Sequence, residues 1–276
     1  MFSAARRQLS ADAGQWSPRG GTGAGRSRPA GRAAALSGVA ALAATAIAGC
    51  ASVSSGPAHS ARQARTYTRD IDRIDIAIGA GSLTLSPSSG HRVTVSRHLE
   101  WSRKRPSVQQ DWTGTVLHVG AACPDQGQCA VNYVITVPAG TAVRARTSAG
   151  NITISRLTGG ATVTDSAGNI RLAGVGGAIQ VTSQAGNVTG VRLRSARVGV
   201  QGQSGNISLS FAAVPAAVTA STQAGQVLIA VPPGGAAGYK VAAHTQAGQR
   251  AVRVHVNSRS QHVLVARTSA GNVTVR

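Results

Sequence analysis

TSAGNITI, Thr147 to Ile154, returns six times further down the chain. The copies are DSAGNIRL at 165–172, SQAGNVTG at 183–190, GQSGNISL at 202–209, TQAGQVLI at 222–229, TQAGQRAV at 245–252 and TSAGNVTV at 268–275. Their shared glycines are Gly150, Gly168, Gly186, Gly205, Gly225, Gly248 and Gly271, separated by 18, 18, 19, 20, 23 and 23 residues. A small residue precedes each glycine, and Asn or Gln follows it. Seven residues before the glycine stand Val143, Ala161, Ile179, Val198, Val218, Val241 and Leu264. Two residues after it stand Ile152, Ile170, Val188, Ile207, Val227, Arg250 and Val273. The positions five before and four after are aliphatic in the same way, and only Arg250 and Gly190 break the pattern.

Apolar residues at every second position put one face of a strand inward and the other in water. Each copy therefore predicts a strand, a glycine turn, a second strand and a further turn such as Leu157-Thr158-Gly159-Gly160. One such unit cannot bury its apolar face alone, so the copies must share a core of aliphatic ladders. The near-constant period favours an all-β fold of the β-solenoid or β-helix-like kind over a sandwich. The Asn/Gln column admits two compatible readings, a side-chain amide ladder along the stack or a simple turn preference.

Upstream, Ile74, Ile76, Leu83 and Leu85 around Gly81 form a degenerate first copy, so the β-repeat domain is expected over 70–276. Residues 96–130 depart from the repeat and read as an insertion or cap, a hairpin carrying Trp101 and Trp112. Val131–Pro138 then enters the regular stack. The last copy, ending at Arg276, reads as an uncapped edge able to pair with another chain. The pattern IDxxIGAGSLTL at 74–85, the segment CPDQGQCAVNYVITVPAG at 123–140 and the TSAGN-[IV] units together resemble the bacterial "putative-adhesin" β-strand-repeat family, over about residues 70–276. The resemblance implies a β-solenoid-like fold at the cell surface and brings with it no biochemical activity and no functional residues.

The N-terminal part reads as an export signal. Six arginines between Arg6 and Arg32 precede an uncharged apolar run, Ala33–Gly49, that ends in Ile47-Ala48-Gly49-Cys50. This resembles the bacterial lipobox, which implies a signal peptide at 1–49, diacylglycerol on Cys50 and a flexible lipidated tether at 50–69. An ordinary signal peptide cut at an Ala-x-Ala site is the competing reading. With Cys50 acylated, Cys123 and Cys129 remain as a pair, and export permits a disulfide between them. A zinc or redox site is the alternative, but the spacing is not CxxC and no second Cys or His cluster lies nearby.

The formal charge is +20, from 28 basic and 8 acidic residues, and all the basic residues except Lys104 and Lys240 are arginines. GC-rich codon usage accounts for this in one reading. Attraction to an anionic envelope polymer or membrane surface accounts for it in the other. Arg103, Lys104 and Arg105 form one candidate contact cluster, and Arg192, Arg194 and Arg197 a second; for each, an ordinary solvated face is the plainer alternative. Aromatics are only 3% of the chain, too few to build stacking platforms, so nucleic acid is not expected as a partner.

After Asp125 the sole acidic residue is Asp165. The repeats therefore cannot supply the paired carboxylates of a glycosidase, nor the ligands of a calcium-binding repeat. The histidines show no metal-ligand spacing and lack carboxylates to orient them, so no catalytic residue, metal or cofactor is expected. What remains is a non-enzymatic envelope lipoprotein on the outer face of the cytoplasmic membrane. It would act as a structural, adhesive or ligand-binding surface module, or alternatively as a sensor beside a membrane signalling protein.

Overall fold

The computed structural model describes residues 59–124 and 127–276, and in them the alternation is realised almost wholly as β-structure. The strands of the N-terminal part are β1 (His59–Tyr67), β2 (Arg73–Ala80), β3 (Leu83–Pro87), β4 (Val93–Trp101), β5 (Ser107–Thr113), β6 (Val116–Ala122) and β7 (Cys129–Val137). The repeats supply β8 (Ala142–Ala149), β9 (Ile152–Ser155), β10 (Ala161–Ala167), β11 (Ile170–Ala173), β12 (Ile179–Ala185), β13 (Val188–Leu193) and β14 (Arg197–Ser204). They continue with β15 (Ile207–Phe211), β16 (Ala217–Ala224), β17 (Val227–Ala230), β18 (Lys240–Ala247), β19 (Arg250–Val252), β20 (Val263–Ala270) and β21 (Val273–Val275). One 3-10 turn, Gly235–Ala237, is the only helical element among the described residues.

The strands form two mixed sheets. One has eleven strands in the order β1-β4-β7-β3-β9-β11-β13-β15-β17-β21-β19; the other has ten, β18-β20-β16-β14-β12-β10-β8-β2-β6-β5. Each repeat places its first strand in the ten-stranded sheet and its second in the eleven-stranded sheet, with the glycine at the corner. Neighbouring repeats pair in parallel and in register, as in Val163 to Val181 and Ile170 to Val188. Only β1–β4, β4–β7 and β5–β6 pair antiparallel.

The ladders expected from the sequence face inward. Ile74, Val143, Ala161, Ile179, Val198, Val218 and Leu264 form one buried row, and Leu83, Ile152, Ile170, Val188, Ile207, Val227 and Val273 form another. Each large aliphatic side chain so buried contributes about 1.5–3 kcal/mol relative to exposure. The corner glycines have φ from +125° to +158°, where a side chain is strained. A Cβ on Gly186 would also overlap the carbonyl oxygen of Gly168 in the adjoining unit. The residue after the glycine does form a ladder. The Asn151 side-chain Oδ1 accepts from the Asn169 backbone N–H (3.1 Å), Asn169 Oδ1 from the Asn187 N–H (3.1 Å), and Asn187 Oδ1 from the Asn206 N–H (2.9 Å).

A column not anticipated from sequence lies three residues before the glycine. Thr147, Asp165, Ser183, Thr222 and Thr268 are all buried there. The Thr268 hydroxyl donates to the Gly225 carbonyl (2.9 Å) and the Thr147 hydroxyl donates to Asp165 Oδ1. Burial pushes the Asp165 carboxyl up from its ordinary pKa, and the Thr147 hydrogen bond opposes that shift.

Three expectations need correction. The 59–67 stretch, expected to end a tether, is a nine-residue strand paired to β4 along its whole length. Residues 96–130 do not form one hairpin carrying both tryptophans, although β5 and β6 pair as a hairpin and β5 closes the end of its sheet as a cap would. Trp101 closes β4 in one sheet and Trp112 lies on β5 in the other, while β6 and β7 form a further two-strand unit packed beside β2 and β3. Finally, the unit ending at Arg276 is not at the edge. β20/β21 sits between β16/β17 and β18/β19, so the outermost unit at this end is β18/β19.

Both exceptions to the repeat pattern are thereby explained. Arg250 occupies an inward position on the outermost unit, where it is exposed, and a charge there opposes edge-to-edge addition. At Gly190 the register slips, and Leu193 fills the space a side chain would need.

Candidate functional site

The charges of this fold are unevenly distributed. From residue 131 to 276 the sole carboxylate side chain is Asp165, which is buried, so the arginines of the repeats have no acidic partner there. Among the described residues the ion pair is Arg73–Asp75 (2.9 Å), while His118 Nδ1 lies 3.7 Å from Asp75 and His98 Nδ1 3.9 Å from Glu100. Arg73 is the one Lys or Arg engaged.

Arg192, Arg194 and Arg197 are all exposed, at the corner where β13 passes to β14. The Arg192 N–H donates to Ser210 Oγ (3.2 Å) and the Arg194 N–H to the Val175 carbonyl (2.9 Å), so the backbone beneath the guanidinium groups is fixed. Arg156, missed by sequence reasoning, belongs with them. It stands six residues after its glycine, as Arg192 does, and the two share the left-handed conformation, with φ of 52° and 49°. The spacing could have revealed it. Arg144 and Arg146 project from the outer face of β8, and Arg171 from that of β11.

Arg103, Lys104 and Arg105 are exposed in the turn between β4 and β5, far along the order of strands from Arg192. The structure does not bring the two clusters together. The Arg105 guanidinium lies 5.5 Å from the Trp101 ring centroid, within cation–π range. Cys123 and Cys129 are disulfide-bonded, with Cα atoms 5.7 Å apart, and their loop joins β6 to β7 in the place where other units have the glycine corner. Cys50 lies outside the described residues.

A depression of about 260 Å³ lies on the outer face of β5, β6, β2 and β8. Gly120 and Ala77 form its floor, and the cross-strand row Asp111, His118, Asp75 and Arg144 forms one wall. Sequence distance hid this row, because its members come from four strands. Its chemistry is that of a surface ion-pair network. Asp75 is held by Arg73, and the Asp75–His118 separation is longer than a hydrogen bond. No nucleophile in the row is coupled to a base.

No protein-family model matches the chain, and no curated protein matches it. Several solved structures align with most of the chain. A "putative cell adhesion protein" from Clostridium sporogenes is 10% identical, with 78% of this chain and 99% of that chain covered and a TM-score of 0.36. A "putative adhesin" from Bacteroides fragilis is 13% identical, covers 78% and 97%, and has a TM-score of 0.40. One from Parabacteroides merdae is 12% identical, covers 80% and 98%, and has a TM-score of 0.32. At these levels the likeness says nothing of ligand, partner or activity.

Proposed function

We propose that the chain is a non-catalytic module of the bacterial cell envelope that binds anionic envelope polymer along the faces of a β-solenoid. It is exported by the signal at 1–49 and held on the outer face of the cytoplasmic membrane by diacylglycerol on Cys50. The observation that carries the binding role is the surplus of exposed, acid-free arginines over the repeats. An arginine fork recognises phosphate and carboxylate oxygens, and cations spaced along a rigid face suit a repeating polyanion. The scarcity of aromatics argues against nucleic acid as that polyanion.

The test uses the mature chain carrying Cys50→Ser. It should bind a polyol-phosphate wall polymer and not a neutral glycan, with affinity falling steeply as salt rises. Replacing Arg156, Arg192, Arg194 and Arg197 by Gln should weaken binding. Salt-independent binding, or equal binding to the neutral glycan, would overturn the proposal. Release of the Cys50→Ser protein to the medium, with diacylglycerol found on the wild type by mass spectrometry, tests the anchor separately.

A further inference from the structure

The chain enters the described fold at His59, the first residue of β1, and eight residues, 51–58, separate it from Cys50. At roughly 3.3–3.6 Å per extended residue, that stretch spans about 30 Å at most. Wherever Cys50 is held, His59 is close by. β1 is also the outermost strand of the eleven-stranded sheet at this end.

Aromatic rings and cations gather at that point. The His59 ring stacks on Trp101 with centroids 5.7 Å apart, and Arg105 lies over the same indole. Arg103 and Lys104 are exposed in the same turn, and Arg62 is exposed on β1. The turn is firmly seated. The Ser102 N–H donates to the Gln128 carbonyl (2.9 Å), the Gln128 N–H donates to Ser102 Oγ (2.8 Å), and Trp101 pairs with Cys129 of the disulfide. The neighbouring carboxylate, Glu100, faces His98. A half-buried indole bordered by cations that make no ion pair among the described residues is the combination that settles at a membrane–water interface, the ring at headgroup level and the cations among the phosphates. The Arg192 corner has cations but no tryptophan. Trp101 and Trp112 are the only tryptophans of the described residues; Trp112, on β5 at the same end of the strand order, stands edge-on to Tyr67 with the Arg69 guanidinium 5.1 Å from its ring centroid.

We infer that the β1 end of the fold, through Trp101, Arg103, Lys104 and Arg105, docks on the anionic headgroups of the bilayer that holds the Cys50 lipid. The order of strands then runs away from the membrane and leaves β18/β19 distal. The membrane is supplied by the lipid-anchor proposal above; the affinity of this surface for anionic bilayers does not require it.

The experiment uses the mature Cys50→Ser chain, which carries no lipid, and vesicles of phosphatidylcholine with or without phosphatidylglycerol. A Trp112→Phe background leaves Trp101 as the one tryptophan of the mature chain, because Trp16 precedes Cys50. Binding is expected only with phosphatidylglycerol, and brominated lipid should quench Trp101 fluorescence. Replacing Arg103, Lys104 and Arg105 by Gln should lower the partition coefficient about a hundredfold, at roughly fivefold per cation. Replacing Arg192, Arg194 and Arg197 by Gln should change it by less than about twofold. Circular dichroism of each variant confirms the fold. Equal losses in the two triple variants, bound protein whose Trp101 is not quenched, or no binding to anionic vesicles would each overturn the inference. Because the protein tested has no lipid, failure of the anchor shows only in the mass of Cys50 and leaves this result intact.

Discussion

Gly186→Ala puts a methyl group where the structure has backbone. The φ of Gly186 is +126°, a region that non-glycine residues enter at about 1–3 kcal/mol. The new Cβ also overlaps the Gly168 carbonyl oxygen, which belongs to backbone and cannot rotate away. Relief requires the two units to part at the corner, yet hydrogen bonds clamp them there. The Gly168 N–H donates to Ala185 O (3.0 Å) and the Ile170 N–H to Asn187 O (2.9 Å). Losing both adds about 1 kcal/mol each, for a total of about 3–5 kcal/mol. That is a large share of an ordinary domain stability of about 5–15 kcal/mol. Gly140 supplies the control, since a Cβ there meets nothing within 4 Å, and Gly140→Ala should stay within about 0.5 kcal/mol. Urea unfolding of both variants followed by circular dichroism reads the difference as a shift in midpoint. A Gly186→Ala midpoint equal to that of Gly140→Ala would refute the close backbone approach.

Other perturbations have equally definite outcomes. Burial raises the Asp165 pKa in the folded state, so its contribution to stability is complete below the unfolded carboxyl pKa and is lost as pH rises through the folded value. Asp165→Asn should therefore be more stable than wild type at pH 7 and lack that decline. A variant less stable than wild type at pH 7 would contradict the assignment. Arg250→Val removes the charge from the outermost inward position and should cause concentration-dependent self-association in sedimentation velocity; a monomer at every concentration would count against the gatekeeper role. Cys123→Ser with Cys129→Ser opens a short loop and should reduce stability by about 2 kcal/mol, with faster hydrogen exchange in β6 and β7, and unchanged exchange there would oppose it.

The sequence made the four aliphatic columns legible because alternation is a local signal, and every Ile and Val it assigned to the row two residues after the glycine is buried. It hid the column of Thr147, Asp165 and Ser183, because alternation turns the position three before the glycine inward along with those five and seven before it, but polar side chains there do not read as core. Their burial follows from proximity to the corner, where hydroxyls satisfy turn carbonyls. Strand order was also hidden. Identical spacings leave open which unit adjoins which, and Leu117, Val119, Tyr133 and Ile135 form a unit whose glycine corner is replaced by the cysteine loop. One trace existed. The separations lengthen to 23 where the chain passes over a unit's width to β18 and returns to lay down β20. The candidate contact residues were visible as charge, but the meeting of His59 with Trp101 required the pairing of β1 with β4.

Cysteine pairs on the outer face of the ten-stranded sheet give the most direct measurement. Thr164 lies opposite Thr182, Thr219 opposite Val265, and Val265 opposite Ala242. Adjacent strands are about 4.8 Å apart, which a disulfide can bridge, whereas Thr219 and Ala242 are two strands apart and beyond reach. Under mild oxidation with peptide mapping by mass spectrometry, Thr164→Cys/Thr182→Cys and Thr219→Cys/Val265→Cys should crosslink, and Thr219→Cys/Ala242→Cys should not. A crosslink in the third pair with none in the second would show the units joined in simple chain order and contradict the arrangement on which the buried ladders, the exposed Arg250 and the distal end all depend.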